Sequence, residues 1–270
     1  MSNYFTTKDP LDAIIARTLP DEKVLATRHI LTGWTNIVIE VTTDTHAYFF
    51  RFPRNPFWSR MIEKDAAVCN FVDGKTSFYT PQMKLCYDDR QRPFSVHAKI
   101  EGYTLGDRIY HLSHTALTGV AYDVAKFIKE LSGIDLREAP AKVKYPLSRF
   151  LRELDYEHYD HHIDADHAYI KSTEDTKLVH GDLNFGNILL DKDDKMIGVI
   201  DFCFAGTGNP HMDVARILSR PAPQEFSDTF LAQFSDPTEI NRMRTAWQHI
   251  DAGYASHIRT HFPEINLNQL

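Results

Sequence analysis

Residues 178–201 read LVHGDLNFGNILLDKDDKMIGVID, and this stretch decides the fold. Ile188-Leu189-Leu190 is an apolar strand, Asp191 to Lys195 a polar turn, and Met196 to Ile200 a second strand. Folded about Asp194, the hairpin sets Ile188 opposite Ile200. Asn187 and Asp201 then emerge together at its open end. Directly opposed residues have Cβ atoms roughly 4.5–5.5 Å apart, so an amide oxygen and a carboxylate there can share one hard cation. Asp182 lies in the loop entering the hairpin, placed to accept a proton from a hydroxyl.

Outward from the hairpin, the preceding chain is strand-rich. A short helix carries Leu11, Ile14 and Ile15. Strand-like runs follow at Val24 to Leu31, Asn36 to Thr42 and His46 to Phe52. Ser59 to Val72 reads as a helix with Ile62, Ala66 and Cys69 on one stripe, stopped by Asp73-Gly74. Lys84 to Tyr87 and Phe94 to Ile100 form another strand pair. After Glu101-Gly102 the pattern turns helical: Leu117, Val120, Val124, Phe127, Ile128 and Leu131 recur at helical spacing, and Gly133 sits at the end. Pro146 to Ala168 and Thr238 to Arg259 are also helical. The chain thus reads as α+β, with a β-rich lobe over 1–98, a hinge near 98–102 and a mainly helical lobe over 99–270.

Of the 270 residues, 43% are hydrophobic and 25% charged, ordinary values for a globular core. No run of eighteen apolar residues is present, so no membrane span is expected. The N-terminus has no secretory pattern. Cys69, Cys86 and Cys203 are too widely spaced for a zinc motif or a disulfide framework, and a cytoplasmic setting is expected. A net charge of −7 disfavours nucleic acid as a partner and suits a cationic ligand.

His180-Gly181-Asp182, Asn187 and Ile200-Asp201-Phe202 together resemble the signature of the aminoglycoside phosphotransferase and choline kinase-like small-molecule kinases. The Asp-to-Asn spacing is also that of the protein-kinase catalytic loop, with Asp201 in place of the Asp-Phe-Gly aspartate. Residues Asn209 to Ala215 resemble the family's Asp-Pro-x-x-Asp-Leu-Ala segment, with Asn209 replacing the first aspartate. The resemblance implies a protein kinase-like two-lobe fold. It implies Mg2+-dependent transfer of the terminal phosphoryl of ATP or GTP to a hydroxyl. Asp182 is then the catalytic aspartate, and Asn187 and Asp201 the magnesium ligands. His180 is a structural residue behind the loop, and Asp213 a buried acid that hydrogen-bonds it. The short stretch from Phe202 to Asp213 leaves no room for a long activation segment, and Cys203 replaces the expected glycine, which argues against a protein kinase.

The same resemblance puts the triphosphate on the β-rich lobe. Leu31 to Asn36, with Gly33, resembles a phosphate-covering loop; an ordinary hairpin turn is the other reading. Pairing the strands about Asp44 brings Arg51 near Ile37, where a cation can clamp phosphates. Kinases commonly use lysine there, and the bidentate guanidinium is not an equivalent group. Glu63 is the expected partner of Arg51, and Ala98 and Ile100 belong to the hinge that binds the purine edge. Phe94 and Ile200 read as apolar walls for a base or as ordinary core.

The acceptor expected from the resemblance is a small, cationic molecule, foremost an aminoglycoside. Asp155, Glu157 and Asp160, within an acidic run, are candidate contacts for its ammonium groups, and a solvated helix face is the competing reading. Asp251 is a further candidate. Trp247 and Tyr254 could stack on a sugar ring or pack in the core. His158, His161, His162 and His167 lack zinc-site spacing. The alternatives are a metabolic kinase for choline, homoserine, thiamine or a similar alcohol, and a non-catalytic nucleotide-binding protein on the same fold.

Overall fold

The alternation in Phe49-Phe50-Arg51-Phe52 sets how the first sheet sits. Successive side chains of a strand point to opposite faces. In the computed structural model, which describes residues 11–30, 35–158, 164–173 and 176–261, these residues lie on the central strand of a five-stranded antiparallel sheet. The order of elements is α1 (Leu11–Thr18), β1 (Val24–Ile30), β2 (Asn36–Thr43), β3 (Ala47–Pro53), α2 (Pro56–Val72), β4 (Lys84–Tyr87) and β5 (Pro93–Ala98). The strands run in the order β1-β2-β3-β5-β4. Phe50 and Phe52 enter a core with Ile14, Ile15, Phe94 and Val96. Phe49 and Arg51 face the other way and line a cleft.

Helix α2 starts at Pro56, earlier than the Ser59 read from the apolar stripe. The Asn55 side chain accepts a hydrogen bond from Trp58 N–H at 3.0 Å, and Pro56 takes the first helical position. A side-chain acceptor followed by proline is a strong start signal.

The remaining elements are β6 (Tyr103–Thr104), α3 (Leu105–Arg108), α4 (His114–Ser132), α5 (Leu147–His158), α6 (Asp164–Ser172), β7 (Lys177–Val179), β8 (Ile188–Leu190), β9 (Met196–Val199), β10 (Gly206–Gly208), α7 (His211–Leu218), α8 (Gln224–Leu231) and α9 (Pro237–His261). Of the helical stretch expected over 146–168, the described residues form α5 and α6, with 159–163 outside the description. The hairpin β8–β9 is extended by β6 into a three-stranded sheet, and β7 pairs with β10. The α4 stripe packs with the hairpin residues Ile188, Leu190 and Val199 and with Ala66 and Cys69 of α2. The other end of α2, with Trp58 and Met61, joins Phe150 of α5 and Trp247 of α9. Helix α2 therefore belongs to both cores of the helical part. Cys69, Cys86 and Cys203 are unbridged. Among the described residues no helix is long and apolar enough to cross a membrane.

Candidate active site

The loop between β7 and β8 is held from behind by one buried acid. Asp213, near the start of α7 and 1% exposed, accepts hydrogen bonds from His180 N–H and Gly181 N–H, both at 2.8 Å. Burial raises the Asp213 carboxyl above its ordinary value, and His180 and these two N–H groups oppose that rise. Gly181 has φ +77°, and a Cβ there would lie 2.7 Å from the Phe204 carbonyl oxygen. Only glycine fits that position. The buried His180 donates from Nε2 to the Ile200 carbonyl at 3.0 Å. Its Nδ1 accepts from Asp182 N–H at 3.3 Å. The imidazole thus joins the loop to the far strand of the hairpin.

The loop presents Asp182 with its two oxygens in different states. Oδ1 accepts from Arg216 Nε at 2.9 Å and from Asn184 Nδ2 at 3.2 Å. Arg216 Nη2 lies 2.8 Å from the same oxygen. Oδ2 has only a 3.5 Å contact from Asn187 Nδ2. Oδ2 is therefore the oxygen available to an incoming hydroxyl.

At the hairpin mouth the register differs by one from the sequence reading. Ile188 pairs with Val199, not Ile200. The pairing shifts between Leu189 and Leu190, a bulge that absorbs one residue. Ile200 N–H then bonds the Asn187 carbonyl at 2.9 Å, and Asp201 lies one step further. Asp201 is left-handed, φ 64° and ψ 67°, a conformation uncommon outside glycine, asparagine and aspartate. Both Asn187 and Asp201 nevertheless line the same cleft. The Asn187 amide donates to the Asp182 carbonyl at 2.9 Å. Its Oδ1 and Asp201 Oδ2 accept no hydrogen bond among the described residues. Two such oxygens fit magnesium, which takes one or two protein oxygens and completes its shell with phosphate and water. Among the described residues no group of three His, Cys, Asp or Glu could hold a metal; His161 and His162 and the His158 side chain lie outside them.

Arg51 faces this mouth from the sheet. It pairs with Val38 rather than beside Ile37, because Thr43 N–H and the His46 carbonyl close a two-residue turn at Asp44-Thr45. Its guanidinium donates to Asp65 Oδ2 at 2.5 Å and to Asp201 Oδ1 at 3.0 Å. Burial works against this charge, but Asp65 and then Asp201 outweigh it and hold Arg51 above its ordinary pKa. The partner is Asp65, not Glu63. At 100° per residue the two acids lie about 200° apart around the helix. Glu63 instead accepts from Lys142 at 2.5 Å.

The cleft has a volume of about 810 Å3. Ile100 and Ile200 line it, whereas Phe94 is core, stacked on Phe50 and Phe52. Ala98 ends β5 outside the lining, and its carbonyl accepts from His97 Nδ1 at 2.9 Å. His97 does line the cleft, and burial, then Arg51, lowers it to about 4. Gly33 lies outside the described residues.

A residue the sequence reading missed stands at the opposite end of the cleft. Arg216 on α7 spans two acids: besides Asp182, its Nη1 donates to Asp251 Oδ2 at 2.5 Å. Its guanidinium lies 4.9 Å from the ring centroid of Trp247, which is fully buried and donates to the Met212 carbonyl at 3.1 Å. Trp247 is core and not a sugar platform. Arg216 falls three residues after Asp213, the helical spacing that puts both on the loop side of α7. That spacing was the available signal. Asp155 and Glu157 are on α5, whose side chains there are outside the described set, as are Asp160 and the Tyr254 side chain.

The chain matches the phosphotransferase enzyme family over residues 27–248. A search of curated proteins returns no significant match. Solved structures share the fold. The GDP and kanamycin complex of APH(2″)-IIIa is 20% identical, with TM-score 0.74 over 94% of this chain and 93% of that one. ADP-bound APH(2″)-Ib is 19% identical, with TM-score 0.65 over 96% and 94%. The macrolide 2′-phosphotransferase MphH from Brachybacterium faecium is 15% identical, with TM-score 0.61 over 95% and 98%. With a match that spans most of its length, and with a kinase-like β-rich lobe and helical lobe, this chain belongs to the phosphotransferase enzyme family.

Proposed function

We propose that the protein transfers the terminal phosphoryl group of ATP or GTP to a hydroxyl of a small molecule, with magnesium. The observation that carries this reading is one cleft holding Asp182 Oδ2, the unpartnered oxygens of Asn187 and Asp201, and the Arg51 guanidinium. Asp182 orients the hydroxyl and accepts its proton. Asn187 and Asp201 would hold the metal, which offsets charge on the phosphates. Arg51 steadies the phosphates from the sheet side. Catalysis is positioning plus electrostatics, with no covalent enzyme intermediate. His180 and Asp213 act through the loop they hold. The nucleotide lobe is residues 1–98 and the acceptor lobe 99–270, with Ala98 and Ile100 at the hinge, Ile100 lining the cleft for the base, and Gly33 in the expected phosphate-covering loop. The unbridged cysteines fit a cytoplasmic setting.

Asp201→Ala is expected to remove the magnesium dependence of nucleotide affinity. Titration calorimetry with and without magnesium reads it directly. Magnesium enhancement equal to wild type would defeat the metal role.

Two acceptor classes stand. An aminoglycoside is supported by family membership and by neighbours solved with kanamycin, gentamicin and streptomycin. It would draw on Asp155, Glu157 and Asp160. A neutral or acidic alcohol is supported by the described acceptor end, where Arg216 already occupies Asp251 and Asp182, and Arg220 and Arg259 also line the cleft. A coupled nucleotide-consumption assay with product mass spectrometry, over aminoglycosides, macrolides and small hydroxy acids, separates them. A polycation held by acids loses kcat/KM steeply as salt rises; a hydroxy acid held by arginines does so only with the Arg220 and Arg259 charges intact.

A further inference from the structure

A second cleft, of about 600 Å3, opens between α2 and α5, with Arg60, Glu63, Lys64, Lys142, Arg149 and Glu153 among its lining residues. Its charges do not balance. Glu63 is taken by Lys142 at 2.5 Å. Glu153 is taken by Arg149 at 2.8 Å and by the Tyr145 hydroxyl at 2.5 Å. Arg60 and Lys64 remain, with no carboxylate within ion-pair distance among the described residues. They are four apart on α2, so like charges face each other along one side of the helix, an arrangement that destabilises an isolated helix.

Lys64 is the more unusual of the two. It is 3% exposed, the one buried lysine among the described residues. Its ammonium has three donors, yet its one hydrogen bond is a long contact of 3.4 Å to the Cys203 carbonyl. The rest of its surroundings are ring faces, Phe150 at 4.6 Å and Tyr145 at 5.2 Å. A buried cation normally has a close counter-charge. Burial lowers its pKa to about 8 against the opposing pull of Cys203, Asp65 and Glu153. Nothing in the phosphoryl-transfer chemistry uses this amine.

We propose that the α2–α5 cleft is a second binding site, for a small organic anion whose acidic group is received by Lys64 and Arg60 and whose body lies against Met61 and Tyr145. The anion supplies the missing counter-charge. The site is separate from the nucleotide cleft, which Lys64 does not line.

Pyridoxal 5′-phosphate is a suitable probe, an aromatic phosphate monoester with an aldehyde. Lysine amines attack its carbonyl carbon; the C=N bond forms and the oxygen leaves as water with the two amine hydrogens. Borohydride then reduces the imine, and peptide mass spectrometry locates it. The protein is kept saturated with magnesium nucleotide, which covers Lys99 in the first cleft. Lys64 is expected to be labelled at least tenfold faster than the exposed Lys192. Arg60→Ala and an excess of glycerol 3-phosphate or benzoate should each slow that labelling at least fivefold; the competitor that acts distinguishes phosphate from carboxylate recognition. Lys64→Met, checked for folding by circular dichroism, should lose the imine absorbance and retain nucleotide binding. Labelling of Lys64 no faster than Lys192, or indifferent to Arg60→Ala and to both competitors, overturns the proposal.

Discussion

Asp182→Ala is expected to lower phosphoryl transfer by about 10^3-fold while nucleotide binding survives. The geometry separates the two effects. Asp182 Oδ1 is engaged by Arg216 and Asn184, and Oδ2 alone is left to receive a hydroxyl. The groups proposed to meet the nucleotide, Arg51 and Asp201, are paired with each other, Arg51 also with Asp65, and neither bonds Asp182. Truncation therefore removes the proton acceptor and leaves the phosphate end in place. Steady-state turnover and calorimetric nucleotide affinity, measured on the same preparation, read the two halves. Turnover within tenfold of wild type would show that another group orients the hydroxyl. Lost nucleotide affinity would mean that the loop had collapsed.

Arg216→Met is expected to cost about 3–5 kcal/mol of stability, the usual result of removing one partner from a buried charged cluster. Here one guanidinium, 5% exposed, serves two carboxylates. Burial already pushes Asp251 up, and Arg216 is the main group opposing it. Without Arg216 the two acids lose their shared cation, leaving Asp251 the weaker pull of Arg220 and Asp182 the Asn184 amide. Adding Asp251→Leu should recover part of the loss, because the two sites share one network. Denaturant unfolding of the two single variants and the double variant closes the cycle. An additive double variant would show that the bridge carries no coupling. Losing Arg216 should also slow transfer, because Asp182 Oδ1 then keeps only the 3.2 Å hydrogen bond from Asn184.

The β-rich and helical parts were legible because hydrophobic period changes sharply at Glu101-Gly102, and the hairpin because an apolar run, a polar turn and a second apolar run leave little choice. What the sequence could not convey was register. Leu190 pairs with Met196, so the turn centres on Asp193 rather than Asp194, and the shift between Leu189 and Leu190 then sets Val199, one residue short of Ile200, opposite Ile188. Asn187 and Asp201 still line one cleft, without the direct pairing expected. Glu63 is the expected partner from its distance along the sequence, and the helix turns it away from Arg51, which Asp65 meets instead. Arg216 went unnoticed because a lone arginine on an apolar helix carries no motif, and only the fold brings Asp182 and Asp251 to it. The acidic run was equally readable as solvated surface or as an acceptor contact. Side-chain charge in sequence does not say which face meets the cleft.

Arg51 is rooted in the sheet, Asp65 in α2 and Asp201 beyond the hairpin, and one guanidinium holds all three. Tilting the sheet away from the hairpin has to pull at least one of those contacts apart. The trio is a clasp whose grip is greatest when the jaws are shut. Under the proposed function, phosphates entering between Arg51 and Asp201 would compete for the same donors. A lysine in place of Arg51, with a single point of attachment, could not hold both acids in the same planar grip.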